Sequence, residues 1–91
     1  MNAADPRSPA CERRLTLLTR PDCGLCEELL LELDALRARF PALPGVQLVD
    51  VDADAALRRR WGMKVPVLLL DGVMVCTVRL DSPELLRLLR L

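Results

Sequence analysis

Two spacings of apolar residues follow one another along the chain, and each change of spacing marks a new predicted element. Residues 14–19 form a short apolar run that is typical of a strand. From Cys23 or Cys26 to Phe40, apolar residues recur at helical intervals, which indicates a helix with one buried face. Residues 46–51 form a second apolar run. Two strands separated by one helix predict a parallel pair with a right-handed crossover.

The second half of the chain predicts a β-hairpin. Two apolar runs, residues 65–70 and 73–78, flank the pair Asp71-Gly72. Because an Asp-Gly pair between apolar runs is typical of a tight turn, the two strands are expected to be antiparallel. Pairing Leu70 with Val73 would place Val67, Leu69, Met74 and Cys76 on one face, and Leu68, Leu70, Val73 and Val75 on the other. Both faces are apolar, which predicts a sheet covered by helices on both sides.

Two shorter helices complete the predicted order βαβαββα. Asp52 or Asp54 is the expected N-cap of a short helix, and Gly62 is its expected C-cap. Ser82 is expected to cap a final helix that has Pro83 at its first position.

Composition and charge exclude several classes of partner. At 91 residues the chain has room for one domain, and 52% of its residues are hydrophobic. It carries 13 basic and 13 acidic residues, and its only aromatic residues are Phe40 and Trp61. The chain therefore lacks the positive charge and the stacking rings of a nucleic-acid binder. We expect no nucleic acid and no membrane as partner, and we assign the basic run at residues 58–60 to a solvated helix face.

The first 13 residues are polar and contain prolines, so they are expected to form a flexible tail before a domain at residues 14–91. They show no apolar export signal, and the longest apolar run, residues 65–70, is too short to cross a bilayer. We therefore expect a cytoplasmic protein, because a reducing compartment keeps cysteines as free thiols.

Two cysteines lie three residues apart in the segment Cys23-Gly24-Leu25-Cys26. Two thiols at this spacing can form a disulfide and be reduced again. The segment lies between the first strand and the first helix, so Cys23 is expected at a helix N-terminus. There the backbone N–H groups and the helix dipole stabilise a thiolate. Arg20 adds to this effect, whereas the acidic neighbours Asp22, Glu27 and Glu28 oppose it.

Three segments resemble the glutaredoxin-like branch of the thioredoxin superfamily. Residues 17–26 are similar to the family's first strand and active-site loop. Residues 49–52, with Leu57 and the triplet Trp61-Gly62-Met63, resemble its second strand and helix, and Val65-Pro66-Val67-Leu68 resembles the segment with its cis-proline. The resemblance implies the fold class: an α/β domain with the minimal thioredoxin fold, in which a mixed four-stranded sheet of order 2-1-3-4 has helices on both faces.

The resemblance also implies a role for each site residue. Cys23 would be the nucleophile that forms a mixed disulfide, and Cys26 would resolve it. Pro66 would follow a cis peptide bond and face the dithiol, so that the backbone of Val65 meets a bound peptide or glutathione. The other expected substrate-binding residues are Arg20, Gly24, Leu25 and Asp81. The implied activity is that of a small thiol-disulfide oxidoreductase.

Two departures separate this chain from glutathione-dependent glutaredoxins. Gly24-Leu25 stands where the family usually has Pro-Tyr, and no glycine pair follows the last strand near Val78-Arg79. We expect no bound cofactor, with either glutathione or a thiol reductase as the electron donor. The expected partner is a disulfide-containing protein or glutathione, and the protein is expected to be a monomer.

Two alternatives use the same cysteines differently. The dithiol could belong to a thioredoxin-like module without turnover, which senses redox state or binds a partner. A zinc site would need Cys11, Cys23, Cys26 and Cys76 to converge, because the chain has no histidine. We expect no metal, with Cys76 as a small buried apolar side chain and Cys11 as an exposed thiol.

Overall fold

The structure, a computed structural model, describes residues 13–91. The strands are Leu15–Thr19 (β1), Val46–Asp50 (β2), Val67–Leu70 (β3) and Val73–Thr77 (β4), and the helices are Gly24–Arg39 (α1), Ala55–Trp61 (α2) and Ser82–Leu89 (α3). The predicted order βαβαββα is confirmed, and a short 3-10 turn, Val51–Ala53, joins β2 to α2. The predicted tail lies outside the described residues except for Arg13, which forms an ion pair with Asp71.

The four strands form one mixed sheet in the order β2-β1-β3-β4. β1 is parallel to β2 and antiparallel to β3, and β3 and β4 form an antiparallel hairpin. The two strands are parallel because α1 crosses over between them and brings the chain back to the end of the sheet at which β1 begins. The predicted fold class is therefore confirmed, and β1 is a central strand whose carboxyl end leads directly into the dithiol segment.

Helices cover both faces of the sheet. On the face of α1 and α3, the buried cluster consists entirely of leucines: Leu15, Leu17, Leu29, Leu33, Leu36, Leu43, Leu68, Leu70, Leu85 and Leu89. On the other face, Leu18, Val51 and Val67 form a smaller cluster that Leu57 and Trp61 of the α2 helix cover. Successive side chains of a strand point to opposite faces, so Leu17 and Leu18 of β1 contribute one to each cluster.

The hairpin differs from its prediction in one strand. Asp71 and Gly72 both have positive φ, at 52° and 84°, which is the backbone of a tight primed turn, and Leu70 pairs with Val73 as expected. An irregularity between Leu68 and Leu69 then pairs Leu68 with Cys76. The irregularity places one extra residue in β4, and this residue reverses the alternation of side chains along the strand. The predicted face of Cys76 is therefore wrong, because its side chain packs against the leucine cluster.

The helix caps also refine the prediction. Asp54 caps α2, with its carboxylate accepting from the N–H of Ala56 at 2.8 Å. Asp81 caps α3 by accepting from the N–H of Glu84 at 3.1 Å, so the prediction of Ser82 as cap is wrong. The aspartate carboxylate takes this role because Ser82 is already the first helical residue. Gly62 is the C-cap of α2 as expected.

Candidate functional site

The dithiol lies where β1 turns into α1. Cys23 is the N-cap of α1, with extended backbone, and its Sγ accepts a hydrogen bond from the N–H of Cys26 at 3.2 Å. Cys23 is half-buried, whereas Cys26, in the first turn of the helix, is only 5% exposed. Both are free thiols. The structure therefore gives the two cysteines unequal access to solvent.

Burial also sets the chemistry of the second thiol. Burial and the hydrogen bond with Cys23 together raise the pKa of Cys26 to about 11. A group with this pKa remains a neutral thiol at neutral pH. The charge of a Cys23 thiolate is one of the contributions that raise this pKa. Converting Cys23 into a mixed disulfide would remove that contribution and make Cys26 easier to deprotonate.

Arg20 lies next to the dithiol but is held by a partner. Its Nε donates to Asp52 Oδ2 at 2.9 Å and its Nη2 donates to Asp52 Oδ1 at 3.2 Å. This hydrogen-bonded pair raises the pKa of Arg20, and a negative Cys23 adds to the effect. Arg20 is therefore a positive charge near Cys23 that Asp52 holds in place. The sequence suggested Asp52 only as a possible helix cap, and its position just after β2 gave no sign of this second role.

The peptide bond between Val65 and Pro66 is cis, as the resemblance predicted. Val67 pairs with Leu18 in the sheet, so Pro66 lies at the same end of the sheet as the dithiol segment. Thr77 pairs with Val67, which brings the segment leading to Asp81 to that end as well. Contact of Val65 and Pro66 with a substrate stays a prediction.

The remaining predicted binding residues differ in what they already contact. Gly24 and Leu25, at the start of α1, are both exposed, and a Cβ at Gly24 would meet no atom within 4 Å. The carboxylate of Asp81 is used to cap α3. Asp81 would therefore have to exchange a hydrogen bond with the helix for one with a ligand.

A groove opens beside the two thiols, which we call the dithiol groove. It has a volume of about 220 Å³, and its lining includes Cys23, Cys26, Asp22, Glu27, Leu30 and Leu48. Leu48 lies on the edge strand β2 and is 53% exposed. Nothing in the sequence marks Leu48 as a residue of the site, because a leucine in a strand predicts burial.

The third described cysteine lies apart from the dithiol groove. Cys76 of β4 is half-buried against the leucine cluster, and burial raises the pKa of its thiol. Within residues 13–91 no group of three or more cysteine, aspartate or glutamate side chains is arranged to hold a metal ion. Cys11 lies outside the described residues. None of the helices in this part of the chain is long and apolar enough to cross a membrane.

Comparisons with known proteins agree with this geometry. The structure is similar to protein Ne2328 from Nitrosomonas europaea, with 28% identity over 92% of this chain and 93% of that one and a TM-score of 0.70. It is also similar to protein XcR50 from X. campestris, with 32% identity over 84% of this chain and 95% of that one and a TM-score of 0.61. No curated protein matches the sequence.

A more distant structural neighbour supports the fold alone. It is the holo form of glutaredoxin C1 from populus tremula x tremuloides, which shares 18% identity over 89% of this chain and 87% of that one, with a TM-score of 0.52. The family model that matches the sequence is described as a glutaredoxin-like domain (DUF836), and it covers residues 14–90. The chain therefore belongs to the glutaredoxin-like (DUF836) family, on a thioredoxin fold.

Proposed function

We propose that this protein is a small thiol-disulfide oxidoreductase in which Cys23 is the nucleophile and Cys26 the resolving thiol. The observation that carries the proposal is the unequal setting of the two sulfurs. Cys23 is half-buried at the start of α1 with its Sγ accepting a backbone N–H, while Cys26 is buried and has a raised pKa. Attack on an external disulfide needs an accessible sulfur with thiolate character, and resolution needs a second thiol within reach.

The proposed reaction has two exchange steps. The Cys23 thiolate attacks one sulfur of the substrate disulfide, whose S–S bond breaks, and the first substrate thiolate leaves. Cys26 then gives up its proton to the solvent and attacks Cys23 Sγ as a thiolate. This step forms the Cys23–Cys26 disulfide and releases the second substrate thiolate. Two electrons pass from the dithiol to the substrate, and a thiol reductant returns them by the reverse exchange.

The proposed substrates are protein disulfides or mixed disulfides with glutathione. The proposed electron donor is glutathione or the dithiol of a thiol reductase. We propose that the protein works in the cytoplasm, because a reducing compartment keeps the dithiol in the free form that the reaction requires. We also propose that Val65 and Pro66 meet the substrate and that the protein acts as a monomer.

A trapping experiment tests the proposal. The Cys26→Ser variant should accumulate a mixed disulfide at Cys23 with a model disulfide such as bis(2-hydroxyethyl) disulfide, detected by the added mass. The Cys23→Ser variant is the matched control, and peptide mapping should find no mixed disulfide at Cys26, since this thiol is buried and protonated at neutral pH. Both variants also carry Cys11→Ser and Cys76→Ser, so that no other cysteine of the chain can react. Trapping at Cys26 instead would contradict the proposed roles.

Turnover separates the proposed enzyme from a redox-sensing or partner-binding module. The unmodified protein should reduce bis(2-hydroxyethyl) disulfide repeatedly with excess dithiothreitol or glutathione, at a rate above the reductant alone. Trapping by Cys26→Ser without turnover by the unmodified protein would favour the sensing module.

A further inference from the structure

The dithiol groove is separate from the surface around the cis-proline. Cys23 and Cys26 form part of its wall, and Leu48 of β2 forms another part. Among the described residues, its lining includes neither Val65 nor Pro66. A substrate joined to Cys23 by a disulfide would therefore have its neighbouring residues within reach of the groove. The groove is in a position to select substrates by what surrounds their reactive cysteine.

The groove presents apolar surface at an edge of the sheet. Leu48 is 53% exposed, and Leu30 of α1 is half-buried beside it. Exposed apolar surface next to a reactive group is typical of a binding site. The volume of about 220 Å³ is smaller than the roughly 300 Å³ at which sites for whole drug-sized ligands begin. The groove therefore fits one or two side chains of a larger partner better than a complete small molecule.

The groove is also acidic. Asp22 and Glu27 line it and are both exposed. Among the described residues that line it, Arg20 is the one cation, and its guanidinium is already paired with both carboxylate oxygens of Asp52. The charge that an approaching substrate meets at the rim is therefore negative.

Among the described residues, the other basic side chains do not line the groove. Arg60 and Lys64 lie over the ring of Trp61, at 4.9 Å and 5.7 Å from its centroid. Trp61 packs against the small cluster on the α2 face of the sheet. Arg60 and Lys64 thus contact Trp61 and are not among the residues that line the groove.

We propose that the dithiol groove recognises a segment of a partner protein in which the disulfide-bonded cysteine is accompanied by an apolar residue and a lysine or arginine. This inference rests on the proposed function and names its substrate class. The apolar side chain contacts Leu30 and Leu48, and the cation lies near Asp22 and Glu27. Glutathione carries two carboxylates and one ammonium group, so the acidic rim disfavours it. Charge complementarity of this kind acts mainly on the rate of productive encounter.

Three capped peptides test the proposal. Each peptide contains a leucine and a central cysteine that forms a disulfide with 2-mercaptoethanol. The peptides differ at one further position, next to the leucine and the cysteine, which is lysine, glutamine or glutamate. The reduced protein should reduce the lysine peptide about tenfold faster than the glutamate peptide at low ionic strength, with the glutamine peptide between them. Above about 0.5 M salt the ratio should fall to about two, because exposed charges are screened.

Matched variants connect the selectivity to the groove. Glu27→Gln should lower the lysine-to-glutamate rate ratio about threefold. Glu28→Gln removes the same charge from the adjacent exposed position, which does not line the groove, and should leave the ratio almost unchanged. Leu48→Thr should slow all three peptides relative to bis(2-hydroxyethyl) disulfide. Leu31→Thr, which alters another exposed leucine outside the groove, should not.

The outcomes distinguish the inference from the proposed function. Failure to reduce bis(2-hydroxyethyl) disulfide would overturn both. Reduction of that neutral disulfide with equal rates for the three peptides, or with a preference for the glutamate peptide or for oxidised glutathione, would overturn the substrate class and leave the proposed function standing. Equal effects of Glu27→Gln and Glu28→Gln would overturn the role of the groove.

Discussion

The two ends of β1 use the same residue types for different purposes. At its carboxyl end, Asp22 has a left-handed backbone, with φ of 58°, and Arg20 pairs with Asp52 beside the dithiol. At its amino end, Asp71 of the hairpin turn has φ of 52° and pairs with Arg13. Each end therefore combines a strained aspartate with an arginine–aspartate ion pair. The difference lies in what else these groups contact.

At the hairpin end, the polar groups are used within the chain. The carboxylate of Asp71 accepts from the backbone N–H of Arg14 at 2.9 Å, and the N–H of Asp71 donates to the carbonyl of Arg14 at 2.8 Å. At the dithiol end, Asp22 is exposed and lines the groove beside Cys23. The polar groups of the hairpin end therefore stabilise the sheet, whereas at the dithiol end Asp22 remains exposed to solvent. Substitutions should separate the two roles.

The largest effect is expected at Cys23. Cys23→Ser and Cys23→Ala should both reduce disulfide exchange by at least about 100-fold, because neither side chain can form a thiolate. Serine should preserve the N-cap acceptor that Cys23 provides to the N–H of Cys26. Alanine removes it and should cost about 1 kcal/mol of unfolding free energy. Enzyme assays and urea unfolding of the two variants check this, and equal stabilities would show that the sulfur has no capping role.

The second largest effect is expected from a substitution of Gly62, which lies at the dithiol end of the molecule. A Cβ there would lie 2.5 Å from the carbonyl oxygen of Arg58 and 3.2 Å from Arg20 Nη2. Gly62→Ala should therefore lower the unfolding free energy by about 1–3 kcal/mol, the usual range for a steric conflict in a packed region. Gly24→Ala, where a Cβ meets nothing within 4 Å, is the control and should not destabilise the protein. Urea unfolding measures both, and a fully stable Gly62→Ala variant would contradict the close contact.

A smaller, pH-dependent effect is expected at Asp71. Burial acts to raise the pKa of Asp71, but the Arg14 N–H and Arg13 outweigh it and hold the pKa below its ordinary value. The folded state therefore favours the carboxylate, and this stabilisation is present above the unfolded-state pKa and is lost as the pH falls through the folded-state pKa. Asp71→Asn, which tolerates the left-handed backbone, should cost roughly 0.5–1 kcal/mol near pH 7.

Urea unfolding at several pH values measures this difference. The gap between Asp71→Asn and the unmodified protein should narrow as the pH falls below about 4, the pKa of a free aspartate, and should close below the lower folded-state pKa. Asp22→Asn is the control, because it makes the same substitution at a residue with the same left-handed backbone at the other end of β1. It should change the unfolding free energy little at any pH. A constant gap for Asp71→Asn across the pH range would rule out the carboxylate as its cause.

The smallest effect is expected from Arg20. Arg20→Gln should slow alkylation of Cys23 by iodoacetamide about two- to threefold at low salt, because it removes a positive charge near the thiolate, and the difference should shrink at high salt. Arg59→Gln removes an exposed charge from α2 outside the groove lining and should have less effect. Equal rates for the two variants at low salt would mean that Arg20 acts only as a partner of Asp52.

Most of the fold could be predicted because local signals and long-range packing agree in this chain. The helical spacing of leucines before Phe40, the Asp71-Gly72 turn and the final helix after Ser82 all appear in the structure within a few residues of their predicted bounds. The face of Cys76 could not be predicted, because a single extra residue in β4 reverses the alternation and leaves no mark in composition. The cap of α3 was missed because Asp81 and Ser82 are both good capping residues and stand side by side.

The sequence by itself determined the elements and the placement of the dithiol at a helix start, because residue spacing, turn residues and the position of Cys23 after β1 are local properties. Only the tertiary structure decided that Asp52 holds Arg20, that Leu48 is exposed beside the thiols, and that Cys26 is buried deeply enough for its pKa to reach about 11. These features depend on strand order and on distances between segments far apart in the chain. Burial and charge contacts cannot be deduced from neighbouring residues in the sequence, because they exist only after the sheet and the helices have packed.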